Sequence, residues 1–389
     1  MATASAATAK HTLAEKPSPM RIAVLANLKK NAPRWEGMPD DQWDDLDSPR
    51  TVEAIVEALR NGGHEAEFIE ASIHPPYDVI ARLRAYQPDL CFNIAESHFG
   101  DGRESQLPGI LEMLRLPYTG SKLLTLALAL DKPTTKRLLK YHGLPTPEFQ
   151  VFEQADAPLG ADLLDARGDL RFSMFVKPSR EGTSMGISAE CIVRSVDALR
   201  AQVGKQLRLY QQPILVERYI EGREITVGIV GNLHPADRRV AEGALAEALP
   251  IGLTFLPPME IDLAYFAPSE DRLYTNRIKT EWAETLDIYL CPAQIDPALE
   301  RRLKVLAGNV FRVLDCKDVS RVDFRIDAQD GEPYVLEINT LPGLNPDLSD
   351  LWLQARAAGW SYDRLINTIA DLAAERQGIA RREGSWARQ

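Results

Sequence analysis

The segment that most constrains this chain covers residues 321–340, RVDFRIDAQDGEPYVLEINT. Charged and apolar residues alternate in its first half, so a strand here would show a charged face and an apolar face. Asp330-Gly331 predicts a hairpin turn. With the turn centred on Asp330, Asp323 lies directly across from Glu337, with Cβ atoms about 4.5 to 5.5 Å apart. The segment therefore predicts two antiparallel strands with two carboxylates side by side.

The alternation also assigns the other side chains of this hairpin to faces. The first strand is predicted to place Arg321, Asp323 and Arg325 opposite Val322, Phe324 and Ile326. The second strand is predicted to place Val335, Glu337 and Asn339 opposite Tyr334, Leu336 and Ile338.

Two carboxylates at this separation repel each other by about 3 kcal/mol at an effective dielectric constant near 20. A divalent cation would compensate, and two carboxylates with the Asn339 amide form an all-oxygen set that suits Mg²⁺ or Mn²⁺. Because Mg²⁺ usually completes its shell with water and substrate phosphates, this set indicates a nucleotide site. The alternative is that Arg321 and Arg325 neutralise the acids on a solvated sheet face. The hairpin alone leaves both interpretations open.

The rest of the chain alternates short apolar runs with amphipathic stretches, which is typical of an α/β fold. The run RIAVLANL, 21–28, predicts the first strand, and Ser48 and Pro49 predict the start of a helix. Further strands are predicted at 171–179, 187–194, 213–220 and 223–231, before an irregular stretch over 245–287. No GxGxxG follows the first strand, which disfavours a dinucleotide-binding domain.

Composition excludes several classes of protein. A formal net charge of −11 argues against a sequence-independent nucleic-acid binder. The four cysteines form no CxxC pair, which fits a reducing cytoplasm. The longest apolar run, 123–130, is too short to cross a membrane. Residues 1–20 lack the apolar core of a secretory signal and are interpreted as a disordered tail.

A glycine-containing loop follows the strand that ends at Lys177. Its backbone N–H groups, the hydroxyls of Thr183 and Ser184, and the lysine itself are suited to binding phosphate. Lys132 follows a predicted helix N-cap and is a second phosphate candidate. The alternatives are a polar hairpin loop and a solvated lysine.

A base and ribose site is suggested by VERYIEGRE, 216–224. The backbone beside Tyr219 and Ile220 can hydrogen-bond an adenine edge, and Glu224 can accept from ribose hydroxyls. The alternative is an edge strand that enters a polar turn.

Taken together and in this order, these motifs resemble the D-alanine–D-alanine ligase family of the ATP-grasp superfamily, as a divergent member. The matching segments are LPYTGS, LDKPTTK, VKPSREGTSMGIS, VERYIEGREITVGIVG, LCPA, RVDFRID and LEINTLPGL. The resemblance implies an open parallel α/β domain followed by a two-part α+β ATP-grasp that holds ATP between two sheets. It implies a tail over 1–20, a substrate domain over 21–115, a central subdomain over 116–212, a C-terminal subdomain over 213–378 with the metal and catalytic residues, and a tail over 379–389.

The resemblance also implies roles for single residues. It places Lys132 and Lys177 on phosphates, Glu217, Tyr219 and Ile220 on adenine, Glu224 on ribose, and Asp323, Glu337 and Asn339 on two Mg²⁺ ions. It places Arg321 and the Gly343 backbone on the oxyanion, and Lys279 on a closing loop that faces phosphate.

The substrate pockets depart from the family pattern. Glu96 stands where the family has a histidine, and Leu348 where it has a substrate-binding serine. Candidate replacements for the substrate contacts are Asp45, Asp47, Ser48, Glu96, Ser349 and Asp350. The loop position after Lys279, a tyrosine in the family, is Thr280.

Three functions remain open at this stage. The first is a ligase that joins small amino-acid-like substrates through an acyl phosphate, with ATP and Mg²⁺ as cofactors and D-alanyl-D-alanine as one candidate product. The second is a phosphotransferase on the same scaffold, and the third is a non-catalytic nucleotide-binding protein. We expect small-molecule substrates, no nucleic-acid or membrane partner, and a homodimer as in relatives of this type.

Overall fold

A computed structural model describes residues 19–237, 245–262 and 288–379. Three sheets organise these residues: a parallel three-stranded sheet, an antiparallel four-stranded sheet and an antiparallel six-stranded sheet. The predicted combination of an open parallel α/β domain with two further sheets is confirmed. Lys279 and Thr280 lie outside the described residues.

The parallel sheet forms from the first part of the chain in the order β2-β1-β3. Its elements are β1 (Arg21–Ala26), α1 (Pro49–Asn61), β2 (Glu65–Glu70), α2 (Val79–Tyr86), β3 (Leu90–Asn93) and α3 (Gln106–Leu114). As predicted, Ser48 caps α1 by accepting a hydrogen bond from the Thr51 N–H, and Pro49 is its first residue.

The four-stranded sheet follows in the order β4-β7-β5-β6. Its region contains α4 (Leu123–Leu130), α5 (Lys132–Tyr141), β4 (Phe149–Phe152), β5 (Met174–Pro178), β6 (Ile192–Val193), α6 (Val196–Tyr210) and β7 (Ile214–Arg218). Because β7 pairs with β4 and β5, this sheet extends to Arg218, beyond the predicted division at residue 212. The domain limits themselves stay a prediction.

The six-stranded sheet has the order β11-β10-β8-β12-β13, with β9 added beside β8. Its region contains β8 (Gly222–Gly231), β9 (Leu253–Phe255), β10 (Met259–Ile261), β11 (Tyr289–Leu290), α7 (Pro297–Val313), β12 (Val319–Asp327) and β13 (Pro333–Asn339). The stretch predicted to be irregular over 245–287 thus contains two short strands within its described part.

The last two helices, α8 (Asp350–Ala357) and α9 (Tyr362–Arg376), return to the N-terminal domain. One buried cluster joins Val24 and Ile55 of that domain to Leu365 and Ile369 of α9. Arg376 adds a buried ion pair to Asp318 at 2.7 Å. Helix α9 therefore completes the hydrophobic core of the N-terminal domain.

The predicted hairpin register is confirmed where it matters, since Asp323 pairs with Glu337. The assignment of Val335 to the charged face is wrong. A bulge between Asp323 and Phe324 shifts the register by one residue, so Val335 packs in the core with Ile338. Leu336 turns instead to the cleft side, next to Glu337.

The predicted strand over 187–194 is mostly wrong. A 3₁₀ helix occupies Ala189–Cys191 and leaves a strand of two residues. Ser188 explains the difference, because its side chain caps this turn. The other 3₁₀ helices are Lys29–Asn31, Arg103–Ser105, Ala161–Leu163 and Pro235–Asp237. No helix in the described parts of the chain has the length and apolar character that crossing a bilayer requires.

Candidate active site

A cleft of about 810 Å³, open solvent included, lies between the four-stranded and six-stranded sheets. That size suits a small-molecule ligand. The predicted phosphate lysines and the predicted adenine and ribose residues line it: Lys132, Lys177, Glu217, Tyr219, Ile220 and Glu224. Asp323 and Glu337 line the same cleft, so the structure brings the predicted nucleotide and metal residues together.

A buried triad of charged side chains forms one wall of this cleft, which is called the nucleotide cleft below. Glu217 forms ion pairs with Lys177, whose Nζ lies 2.6 Å from Oε1, and with Lys136, whose Nζ lies 2.7 Å from Oε2. Burial acts to raise the pKa of Glu217, but the two ammonium groups outweigh it and hold the pKa below its usual value. The structure thus gives the Glu217 carboxylate two protein cations as partners.

Sequence reasoning missed Lys136. Its side chain is 1% exposed and also donates to Thr146 Oγ1 at 2.8 Å. Burial lowers its pKa to about 8, against the opposing effect of Glu217. The missed signal was its spacing, since Lys132 and Lys136 stand four residues apart on α5 and therefore share one helix face.

The far end of the cleft is organised by Arg325. Its Nη2 lies 3.0 Å from Glu224 Oε2, and its guanidinium lies 5.4 Å from the centre of the Tyr219 ring. Arg325 therefore pairs with the predicted ribose ligand and not with Asp323. The alternative in which Arg321 and Arg325 neutralise the hairpin carboxylates holds for Arg321, whose Nε lies 2.9 Å from Asp323 Oδ1, but not for Arg325.

Asp323 is the centre of the predicted metal set. It accepts hydrogen bonds from Thr226 Oγ1 at 2.5 Å, from Arg321 Nε at 2.9 Å and from Asn339 Nδ2 at 2.8 Å. Glu337 lies 3.4 Å from Lys132 Nζ. Two carboxylates and an amide remain a hard oxygen set, which fits Mg²⁺. Among the described residues, no group of three or more His, Cys, Asp or Glu side chains is arranged to hold a metal.

The loop after β5 closes one side of the cleft. Thr183 and Ser184 adopt left-handed backbone angles, with φ of 46° and 60°. Gly186 also has a positive φ, and a Cβ there would lie 2.9 Å from Pro178. Lys132 Nζ donates to the carbonyl of Glu181 at 2.5 Å, which ties this loop to α5.

A second cavity opens from the cleft toward the N-terminal domain. It is lined by all of the predicted substrate residues, namely Asp45, Asp47, Ser48, Glu96, Ser349 and Asp350, and also by Arg321, Gly343, Thr183 and Ser184. Gly182, Ser184, Glu224, Asp323 and Glu337 line both spaces. The predicted phosphate, metal and substrate residues thus meet at one junction.

Two predicted substrate residues have structural roles as well. Ser48 caps α1, and Ser349 Oγ accepts from the Asn345 N–H at 2.6 Å. Asp350 lies 2.9 Å from Arg321 Nη1. Arg321 thus links Asp350 to Asp323.

The carboxyl groups on the N-terminal side of this substrate cavity are unusually basic. Burial, followed by repulsion from Asp45, raises the pKa of Asp47 to about 8. Burial raises the pKa of Glu104 to about 7, and burial with repulsion from Glu104 raises the pKa of Glu96 well above its usual range. Sequence reasoning did not single out Glu104.

Comparisons with known proteins identify the family of this chain. The family described as "D-ala D-ala ligase C-terminus" matches residues 138–248 and 265–371. The D-alanine–D-alanine ligase of Cupriavidus metallidurans is 34% identical over 315 residues, which is 81% of this chain and 84% of the relative. The chain belongs to the D-alanine–D-alanine ligase family. The predicted family and enzyme class, an ATP-dependent ligase that forms C–N bonds, are confirmed.

Two further proteins extend the comparison. The uncharacterized protein y4sG of Sinorhizobium fredii is 34% identical over 371 residues, covering 92% of this chain and 98% of that protein. The solved D-alanine–D-alanine ligase of Bacillus anthracis complexed with ATP shares the fold, with a TM-score of 0.65 and 24% identity over 92% of this chain and 99% of that one.

Proposed function

We propose that this ligase uses ATP and Mg²⁺ to join two small amino-acid-like substrates through an acyl phosphate. The proposal rests on the observation that the nucleotide cleft and the substrate cavity share lining residues. Ser184, Asp323 and Glu337 line both the nucleotide cleft and the substrate cavity. A phosphate at this junction would lie beside a substrate carboxylate, as phosphoryl transfer requires.

The cleft residues take the nucleotide. Lys132 and Lys177 bind phosphates, Tyr219 and Ile220 flank the adenine beside Glu217, and Glu224 binds the ribose. The contact of Glu224 with Arg325 supports this arrangement, because the guanidinium holds the carboxylate at the end of the cleft.

Mg²⁺ would be held by Asp323, Glu337 and Asn339. When bound, it supplies positive charge against the phosphate oxygens. The hard oxygen donors and the paired strands that fix them support this role.

The reaction has two steps. An oxygen of the substrate carboxylate attacks the γ-phosphorus of ATP, so a C–O–P bond forms and ADP leaves. A neutral amine then attacks the acyl carbon, inorganic phosphate leaves, and the nitrogen loses a proton as the amide forms. Arg321 and the Gly343 N–H stabilise the oxyanion that forms when the amine attacks and that collapses when phosphate leaves. Thr183, Ser184 and Lys279 cover the phosphates.

The relatives named D-alanine–D-alanine ligase make D-alanine one candidate for both substrates. The altered substrate residues favour a different dipeptide or amide. Glu96 and Leu348 replace family contacts, and both line the cavity.

The test combines ADP release with product analysis. Purified protein is incubated with ATP, Mg²⁺ and a panel of amino acids, and hydroxylamine is added in a parallel reaction. We expect ADP and an amide in equal amounts, and a hydroxamate when hydroxylamine intercepts the acyl phosphate. A stable phosphorylated product without amide would instead identify a phosphotransferase. Binding of ATP without turnover over the whole panel would identify a non-catalytic protein.

A cytoplasmic location is also part of the proposal. The four cysteines are free, and three of them are buried, which fits a reducing compartment. The homodimer stays a prediction.

A further inference from the structure

A loop of the N-terminal domain contacts the loop that follows β5. The first of these, residues 27–48, connects β1 to α1 and is called the β1–α1 loop below. The second, residues 179–188, is called the glycine loop. Asp41 Oδ2 of the β1–α1 loop accepts a hydrogen bond from the backbone N–H of Gly186 in the glycine loop, at 2.7 Å. Two segments that lie far apart in the sequence thus meet at one carboxylate.

A second hydrogen bond joins the same carboxylate to the end of α6. The hydroxyl of Tyr210 donates to Asp41 Oδ1 at 3.0 Å. Burial and the nearby Asp41 carboxylate raise the pKa of Tyr210, so this hydroxyl keeps its proton and donates. Tyr210 also lies against Gly186, since a Cβ on that glycine would lie 3.1 Å from the tyrosine ring. Asp41 therefore binds both the glycine loop and the side chain that packs against it.

The β1–α1 loop is anchored close to Asp41. Trp43 is 3% exposed, and its Nε1 donates to the Pro33 carbonyl at 2.8 Å. Its ring meets the rings of His98 and Phe99 edge-on, with centroids 5.2 and 5.5 Å away. Asp41 is therefore held by a packed part of the N-terminal domain.

The glycine loop depends on contacts of this kind because of its backbone conformation. Thr183 and Ser184 have left-handed backbone angles, which are unfavourable for residues other than glycine and persist where surrounding contacts fix them. Next to them, the Gly186 N–H is fixed by Asp41, and the Gly186 carbonyl accepts from Gln206 Nε2 at 2.9 Å. Both polar groups of the Gly186 backbone are thus fixed just after the two hydroxyl residues.

We propose that Asp41 is a positioning residue for nucleotide binding, through which the N-terminal domain holds Thr183 and Ser184 over the phosphates of ATP. Asp41 is not among the described residues that line the nucleotide cleft or the substrate cavity, so it acts through Gly186 and Tyr210. This inference rests on the proposed nucleotide role of the glycine loop and adds a residue from outside the sequence motifs.

The experiment compares the binding of two ligands, measured by isothermal titration calorimetry with Mg²⁺ present. Imido-ATP, a non-hydrolysable analogue, has phosphates for the glycine loop to cover, whereas adenosine has none. In Asp41→Ala, we expect the dissociation constant of imido-ATP to rise about tenfold, since a hydrogen bond to a charged group is lost, and that of adenosine to change by less than about twofold. Unchanged adenosine binding also shows that the variant is folded.

Two further variants separate positioning from general stability. Asp41→Asn keeps an oxygen that can accept from the Gly186 N–H, so it should retain most of the affinity for imido-ATP that Asp41→Ala loses. Asp40→Ala removes an exposed carboxylate from the preceding position and should bind both ligands as the wild type does. Equal losses for the two ligands in Asp41→Ala, no loss at all, or an Asp41→Asn protein as weak as Asp41→Ala would overturn the inference.

This binding experiment needs no turnover, so it separates the role of Asp41 from the ligase function. If the wild-type protein binds imido-ATP more tightly than adenosine but forms no amide, the ligase function is overturned and the comparison of variants still decides the role of Asp41. If the wild-type protein binds the two ligands equally, the phosphate role of the glycine loop is overturned and the inference with it.

Discussion

The nucleotide cleft and the substrate cavity adjoin each other, yet their charges are arranged in opposite ways. In the cleft, buried carboxylates meet protein cations, as Glu217 meets Lys136 and Lys177, and Glu224 meets Arg325. On the N-terminal side of the cavity, burial instead raises the pKa of Asp47 to about 8 and that of Glu104 to about 7, and it raises the pKa of Glu96 well above its usual range. The cleft therefore compensates its buried carboxylates with protein cations, whereas this side of the cavity favours protonated carboxyl groups.

We infer that this difference reflects the ligands of the two spaces. ATP is one ligand, so its site can be held by a fixed set of ion pairs. Substrates differ, and Glu96 and Leu348 in this cavity depart from the family pattern. The four predictions below test this comparison.

Asp323→Asn should have the largest effect, because it removes a charge from the junction of cleft and cavity. We expect kcat to fall about 1,000-fold, since loss of a metal-binding carboxylate costs about 4 kcal/mol of transition-state stabilisation. The rate of ADP release at saturating ATP measures kcat. Asp330→Asn, an exposed carboxylate in the same hairpin, should be unchanged. Near-normal turnover by Asp323→Asn would remove this residue from the catalytic set.

Lys136→Met tests whether the cleft is balanced by protein cations. Loss of one partner leaves part of the Glu217 charge uncompensated in a buried site, so the free energy of unfolding should fall by about 3 kcal/mol. Urea unfolding measures this fall. Arg137→Met, exposed on the same helix, is the control. Adding Glu217→Gln should restore part of the stability, and a single variant as stable as the wild type would contradict the balance.

Asp47→Asn tests the protonated side of the cavity through pH. The pKa of Asp47 is raised to about 8 from 3.8, so between these values the folded protein keeps a proton that the unfolded chain releases. Stability contributed by this group therefore falls as pH rises from 4 toward 8. Asp47→Asn should raise the free energy of unfolding at pH 8 by about 2 kcal/mol, and by less at pH 5.

Unfolding in urea at several pH values measures the effect of Asp47→Asn. Asp40→Asn, an exposed carboxylate on the same loop, should follow the wild type at every pH. A gain in stability that is independent of pH would show that proton linkage is not its cause.

Arg325→Met should give the smallest effect. The variant removes the guanidinium that holds Glu224 and lies over Tyr219, so the KM for ATP should rise about tenfold, equivalent to about 1.4 kcal/mol, with kcat nearly unchanged. Arg223→Met on the neighbouring strand, where the guanidinium pairs with Glu260, is the control. An unchanged KM would show that the contact of Arg325 with Glu224 does not serve nucleotide binding.

Much of this site could be predicted from sequence because strands and caps follow local rules. The pairing of Asp323 with Glu337 followed from alternation and one turn signal. The agreement involved two compensating shifts, since the turn is centred half a residue before Asp330 and the bulge restores the predicted pairing. The same bulge exposes Leu336 to the cleft, and no local sequence pattern predicts the bulge.

Other features depended on contacts between distant segments. In the sequence, Lys136 resembles an ordinary lysine on a helix surface. Its buried ion pair forms because the fold places β7, and with it Glu217, beside α5. The pKa of Glu104 is raised because the fold buries its carboxyl group and places Asp45 beside it. Two acids lie near Arg325 in the sequence, but Arg325 pairs with Glu224, which lies opposite it on the neighbouring strand. Burial and pairing at long range therefore set the electrostatics that residue order alone does not specify.

The packing of α9 into the core of the N-terminal domain has a consequence for synthesis. Leu365 and Ile369 belong to the same buried cluster as Val24 and Ile55, more than 300 residues earlier in the chain. A growing polypeptide can pair β1, β2 and β3 early, but one side of their sheet stays uncovered until the last helix leaves the ribosome. The first domain to be translated is therefore among the last to finish folding.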